Sequence, residues 1–189
     1  LVSVMAFNEP MANHTSFGIG GPASCMVYPK DRHELSTLLK YAHEQNIPAF
    51  FVGSGSNILV WDDGFDGFVI SLRKTFKELQ ITDDFQIIAE SGVMLGKLVK
   101  DAVHAKIGGL ESLIGVPGTL GGALIMNAGA FGSEISNYFE EAKTMTLEGE
   151  IKTYTKTDID FSYRHSSFPE DEILIEAIFN CIEGAAEDI

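Results

Sequence analysis

The stretch "VGSGSNILV" (residues 52–60) sets two glycines, two serines and an asparagine between apolar runs, with no charge. Glycine reaches backbone conformations closed to other residues and lets the chain come close to a ligand. Successive main-chain N–H groups in such a turn make a concave anion site. Ser54, Ser56 and Asn57 add short side chains able to donate. The stretch therefore suits a phosphate held without lysine; taken alone, it is also what a tight turn between two strands needs. Before it, "AFFVG" (49–53) reads as a buried strand. After it, "ILVW" (58–61) reads as strand-like.

The rest of the composition agrees with backbone-dominated binding. The 189-residue chain carries a net charge of −14, and no window supplies a basic patch, so a nucleic-acid partner is not expected. Any polyanionic ligand must then be held mostly by N–H groups and helix ends. With 45% hydrophobic residues the chain can bury a core. No uncharged apolar run reaches 18 residues, so no membrane partner is expected, and no basic-then-apolar segment at the start marks a secretory signal. Cys25 and Cys181 stand too far apart for a metal site and read as buried free thiols. The five histidines show no metal-ligand spacing, so no metal is expected.

Two more glycine clusters follow the same logic: "FGIGGPA" (17–23) and "GVPGTLGGALIMNAGAFG" (115–132). "GSGSNI" lacks the third glycine of the dinucleotide fingerprint and no amphipathic helix follows it, so a Rossmann site matches poorly. No GxxxxGK[ST] occurs, which excludes a P-loop. Pro117, between Gly115 and Gly118, fixes a turn. The small, apolar "TLGGALIMNAG" after it suits a helix packed on a flat ligand, or simply close helix packing. Three clusters before residue 133 point to one extended ligand with a pyrophosphate and a ring.

The elements around them read as α+β. Residues 1–16 look irregular. "SCMVY" (24–28) is a short strand, and Asp31 with Glu34 can cap a helix whose apolar face is Leu35, Leu38, Leu39 and Ala42. "GFVISL" (67–72) completes a first lobe, residues 1–75. "FQIIAESG" (85–92) opens a second lobe, 76–182, with a helix over 94–107, a hairpin turning at Glu148–Gly149 and a last strand over 173–181. Residues 183–189 read as a loose tail.

Four motifs occur in order: "NHTSFGIGGPA", "VGSGSNILV", "GLESLIGVPGTLGGALIMNAGAFGSEI" and "FSYRHSSF". Together, over roughly residues 13–181, they resemble the UDP-N-acetylenolpyruvoylglucosamine reductases, bacterial flavoenzymes of peptidoglycan synthesis. The resemblance implies a two-lobed FAD-binding fold of the vanillyl-alcohol oxidase type, a bacterial cytoplasmic setting, non-covalent FAD, NADPH as reductant and an enolpyruvyl UDP-sugar as substrate. It places Gly53, Ser54, Gly55, Ser56 and Asn57 at the FAD pyrophosphate. Gly115, Val116, Pro117, Gly118 and Thr119 fall beside the isoalloxazine. Gly121, Gly122, Asn127, Ala128, Gly129 and Ala130 continue that wall, and Ile175 lies in a nearby strand. Arg164 matches the active-site arginine, whose fixed charge would stabilise an enolate formed beside the substrate carboxylate.

The resemblance also has gaps. The family often has tyrosine where Phe131 stands, which removes one possible hydrogen bond to substrate. A further C-terminal lobe of the family, with a proton-donating serine and an assisting glutamate, finds no match before Ile189. The chain is thus expected to bind FAD and to turn over little by itself. A stand-alone flavin module, or another oxidoreductase of the same fold, is the alternative.

Overall fold

The computed structural model describes residues 4–184. Its first sheet grows around one capped helix. Asp31 Oδ1 accepts from the Glu34 amide at 2.9 Å, while Glu34 Oε2 reaches back to the Lys30 amide at 2.6 Å. That satisfies amides the helix itself leaves without partners. Helix α1 (Arg32–Glu44) follows, with Leu35, Leu38, Leu39 and Ala42 buried, as their spacing predicts. Around it stand β1 (Val4–Pro10), β2 (Pro22–Tyr28), β3 (Ala49–Phe51) and β4 (Phe65–Ile70), in the order β1-β2-β4-β3. β1 is antiparallel to β2, whereas β4 runs parallel to both β2 and β3.

Several local expectations fail: β3 is an edge strand with Phe50 exposed and not a buried one, and Cys181 is only half-buried. Residues 4–10 are a strand, not irregular: most of β1 is exposed, so it shows no inside–outside alternation, and Asn8 breaks it with φ 50°. "ILVW" joins no ladder. Its Trp61 carbonyl instead accepts from the amides of Gly21 (2.8 Å) and Gly64 (3.0 Å), tying the first glycine cluster to this loop.

The second sheet is antiparallel. Its strands are β5 (Leu79–Ile81) and β6 (Gln86–Glu90). Next come α2 (Leu95–His104), β7 (Ile107–Gly108), α3 (Leu120–Ile125) and the hairpin β8 (Gly129–Ala130)/β9 (Ser133–Glu134). The hairpin β10 (Phe139–Met145)/β11 (Ile151–Thr155) turns through Gly149 at φ 74°. The small hairpin β12 (Phe161–Ser162)/β13 (His165–Ser166) precedes the long β14 (Ile173–Asn180). The sheet order is β11-β10-β14-β6-β5. Finally β15 (Ile182–Glu183) pairs with β7, so pairing reaches into the expected loose tail; residues 185–189 lie outside the described residues.

α1 lies between the sheets. Its Leu35, Leu38 and Leu39 share one buried cluster with Cys25, Val27 and Ile70 of the first sheet and Met145, Ile173 and Ile175 of the second. A second core packs α2 and α3 on the large sheet, with Phe139 contacting the rings of Phe161, Phe168 and Phe179 edge-on. Arg32 adds an ion pair from α1 to Glu176 of β14 at 2.7 Å, and Lys143 reaches the same carboxylate at 2.8 Å.

Leu39 is fully buried at the junction of both sheets. Leu39→Ala should therefore lower the unfolding free energy by about 2–5 kcal/mol in urea titration. A second prediction concerns acid. Burial would raise the Glu172 carboxyl, but hydrogen bonds from Lys152, Thr144 and Tyr154 outweigh it and hold it below its ordinary 4.5. A depressed folded pKa contributes stability that is present above pH 4.5 and lost as pH falls through the folded value. Urea midpoints should fall below pH 4.5, and Glu172→Gln should flatten that fall.

Candidate active site

The chain after β3 leaves the sheet at Val52, whose amide still bonds Ile70 O at 3.0 Å. Beyond it, the main-chain amides of residues 53–57 donate to no acceptor among the described residues. The loop's shape is forced from two sides. Gly55 takes φ 73°, and a Cβ there would lie 1.7 Å from His14 O; the Ser16 amide donates to Gly55 O at 2.9 Å. A Cβ on Gly53 would lie 2.4 Å from Thr119 Oγ1. Ser54 Oγ bonds Ser56 Oγ (3.3 Å), which donates to Pro117 O (3.2 Å), and Ser71 Oγ donates to Gly53 O (3.4 Å). The second glycine cluster thus meets the third, at Pro117 and Thr119, and the chain just before the first, at His14 and Ser16.

Gly115 and Gly118 take φ 83° and 148°, turning the chain about exposed Pro117 and half-buried Val116. Thr119 is buried and bridges Met94. The Leu95 amide bonds Gly118 O, the Leu120 amide Val93 O and the Gly121 amide Ser91 O, at 2.8–3.0 Å. Gly121 faces Ser91 so closely that a Cβ would meet the serine Cβ at 3.0 Å. Gly122 lies on the exposed face of α3. The Ser91 amide in turn donates to Ile175 O at 2.9 Å. The Ile175 side chain is wholly inside the inter-sheet core, so it backs the site from within and lines no open surface.

Ala128 is buried, while Gly129 and Ala130 are half-buried in β8. The β8/β9 turn, Phe131–Gly132, has both residues left-handed (φ 53° and 83°), and Phe131 is 91% exposed. Beside it stands the β12/β13 hairpin. Arg164 is the second residue of its two-residue turn, at φ 57°; its Nη1 donates to Gly129 O at 3.2 Å and its guanidinium sits 5.3 Å from the Tyr163 ring centre. His165 is exposed, and Ser166 is buried against α3. The structure therefore brings Arg164 to the 125–130 segment, and the 53–57 loop to 117–119.

Three contributors escape a reading of the sequence: the His14–Ser16 backbone, Ser71 and Glu134. Only His14–Ser16 had a signal, in the polar "NHTS" before the first glycine cluster; nothing in one chain tells which distant loop it supports.

A run of amides without acceptors among the described residues, two glycines pressed on neighbouring backbone or hydroxyl, and a turn at Pro117 lie side by side, an arrangement chemically able to accept an anion. Residues 23–155 match the FAD binding domain family, and the chain belongs to it. Among its relatives, the UDP-N-acetylenolpyruvoylglucosamine reductase of Syntrophomonas wolfei is 40% identical over 183 residues, covering 96% of this chain and 61% of that protein. The protein of the same name from Streptococcus uberis is 42% identical over 183 residues, covering 96% and 60%. The crystal structure of UDP-N-acetylenolpyruvylglucosamine reductase from Thermus caldophilus aligns with a TM-score of 0.81 at 29% identity, over 99% of this chain and 65% of that one. Physcomitrella patens BBE-like 1 aligns with a TM-score of 0.71 at 15% identity, a likeness of fold alone. These relatives bear out the resemblance carried by the four motifs and the α+β fold of the vanillyl-alcohol oxidase type. The chain spans about three fifths of the length of the curated relatives it matches.

The packing at Gly53 is directly testable. Gly53→Ala drives a methyl into Thr119 Oγ1 and should destabilise by about 1–3 kcal/mol. Thr119→Ala removes that oxygen, so the double variant should recover much of the loss in a denaturation cycle.

Proposed function

We propose that this chain holds FAD non-covalently, as the cofactor-binding part of an NADPH-dependent reductase acting on the enolpyruvyl ether of UDP-N-acetylglucosamine. The product of that reductase is UDP-N-acetylmuramate, for peptidoglycan synthesis in the bacterial cytoplasm. One observation carries the reading: five consecutive amides, Gly53–Asn57, lack acceptors among the described residues, beside a segment that places Gly118 and Thr119 against them. In this reading those amides, with Ser54 and Ser56, bind the diphosphate. Gly115, Val116, Pro117, Gly118 and Thr119 border the ring, and Gly121, Gly122, Asn127, Ala128, Gly129 and Ala130 continue the wall. Ile175 supports it from the core. Lobes 1–75 and 76–182 lie on the two sides.

Bound FAD would supply hydride transfer. Arg164 would hold the substrate carboxylate and stabilise negative charge as it develops on the enolpyruvyl group, a role suited to a rigid, permanently charged fork. Because the chain matches only part of its relatives' length, a second reading stands beside this one: a flavin carrier that depends on other polypeptide for substrate.

The absorption spectrum of the purified chain with excess FAD tests the proposal. Protein-bound flavin bands should appear, and Gly55→Ala should weaken FAD binding at least about tenfold, because its Cβ cannot fit beside His14 O. A colourless chain defeats the reading. Bleaching by NADPH measures how much of the reductive half-reaction this part carries, and re-oxidation by the enolpyruvyl UDP-sugar would contradict the expectation that the chain turns over little by itself.

A further inference from the structure

Arg164 stands on the smallest of supports. β12 and β13 contribute two residue pairs, Phe161↔Ser166 and Ser162↔His165, and Arg164 itself takes φ 57°, where side chains other than glycine are uncommon. So short a ribbon does not hold a long cationic side chain in place by its own ladder.

The hairpin is instead fastened to the 125–129 segment at alternate residues. Ser166 Oγ donates to Ile125 O at 2.7 Å, Asn127 Nδ2 donates to Ser162 O at 3.0 Å, and Arg164 Nη1 donates to Gly129 O at 3.2 Å. Asn127 is the centre of this fastening. It is 1% exposed and left-handed, at φ 41°. Its Nδ2 also donates to Glu134 Oε2 at 2.8 Å, so both amide hydrogens are used. Its Oδ1 is buried with no partner among the described residues. The opposite amide orientation would point that oxygen at a carboxylate and a carbonyl, so these two acceptors fix the side chain. A buried oxygen left unpaired is a standing penalty that an apolar residue would avoid. What the asparagine provides in exchange is a simultaneous grip on β9 and on the turn of the Arg164 hairpin.

We propose that Asn127, anchored by Glu134, is a positioning residue for Arg164: it fixes the turn that carries the guanidinium to the same backbone segment that walls the cofactor site. The inference rests on the reading of Arg164 as the active-site cation, and it changes what Asn127 does in that reading, from touching the ligand to setting where the charge stands.

Hydrogen–deuterium exchange on the FAD-free chain tests the brace without any cofactor. Asn127→Ala should speed exchange of the 161–166 amides about tenfold, the effect of losing one buried hydrogen bond, and leave the α1 amides unchanged. The FAD-loaded chain tests the purpose through the flavin midpoint potential, since a nearby cation favours the reduced, more negative ring. Arg164→Met should lower the potential, Asn127→Ala should lower it in the same direction, and Asn127→Ala added to Arg164→Met should change nothing further. Unchanged exchange over 161–166 in folded Asn127→Ala overturns the proposal, as does full additivity of the two potential shifts. If Asn127→Ala does not fold, Glu134→Gln, which keeps the shape but removes the charge that anchors the amide, is put through both measurements and decides. Faster exchange together with an unaltered potential in Arg164→Met also overturns it, leaving Asn127 a purely structural tie. A chain that binds no FAD sinks the functional reading instead, and the exchange result still stands.

Discussion

Everything near the site depends on how closely three backbones approach one another. Gly55 lies on His14 O, and Gly53 on the hydroxyl of Thr119, with no room for a side chain at either contact. Beside this crowding the amides of residues 53–57 meet no acceptor among the described residues. Backbone groups buried in a folded chain are almost always paired. Here the fold leaves the loop amides to solvent or ligand, and the sheet-edge bond from Val52 to Ile70 and the Ser56–Pro117 contact keep the loop from collapsing onto itself.

The same economy organises the surroundings of Arg164. The β12/β13 hairpin owes its position to Phe161 packing on Phe139, to Ser166 against α3 and to Asn127 beneath its turn. Charge is placed by a buried amide and a ring contact, with little contribution from strand pairing. The large sheet serves both regions, since β14 carries Ile175, whose carbonyl orders Ser91, which in turn receives Gly121.

Local physics was legible where one segment decides it. The α1 cap, its apolar stripe and the Gly149 hairpin follow from spacing and turn chemistry, and the glycine clusters mark where the chain takes left-handed turns. β1 was not legible, because a mostly exposed strand shows no alternation. "ILVW" misled, because its apolar residues close over the first glycine loop without entering a ladder. Long-range pairings were out of reach altogether. No pattern in a single chain says that His14 must meet Gly55, or that Asn127 must meet Ser162. The four motifs picked out the candidate segments, but the reasons for Gly53 and Gly121 became visible only as distances.

The shared helix has a mechanical corollary. Prising the sheets apart would return Leu35, Leu39, Ile173 and Ile175 to water, at about 1.5–3 kcal/mol for each side chain, and would sever Arg32 from Glu176. The jaws are therefore locked at a fixed gape.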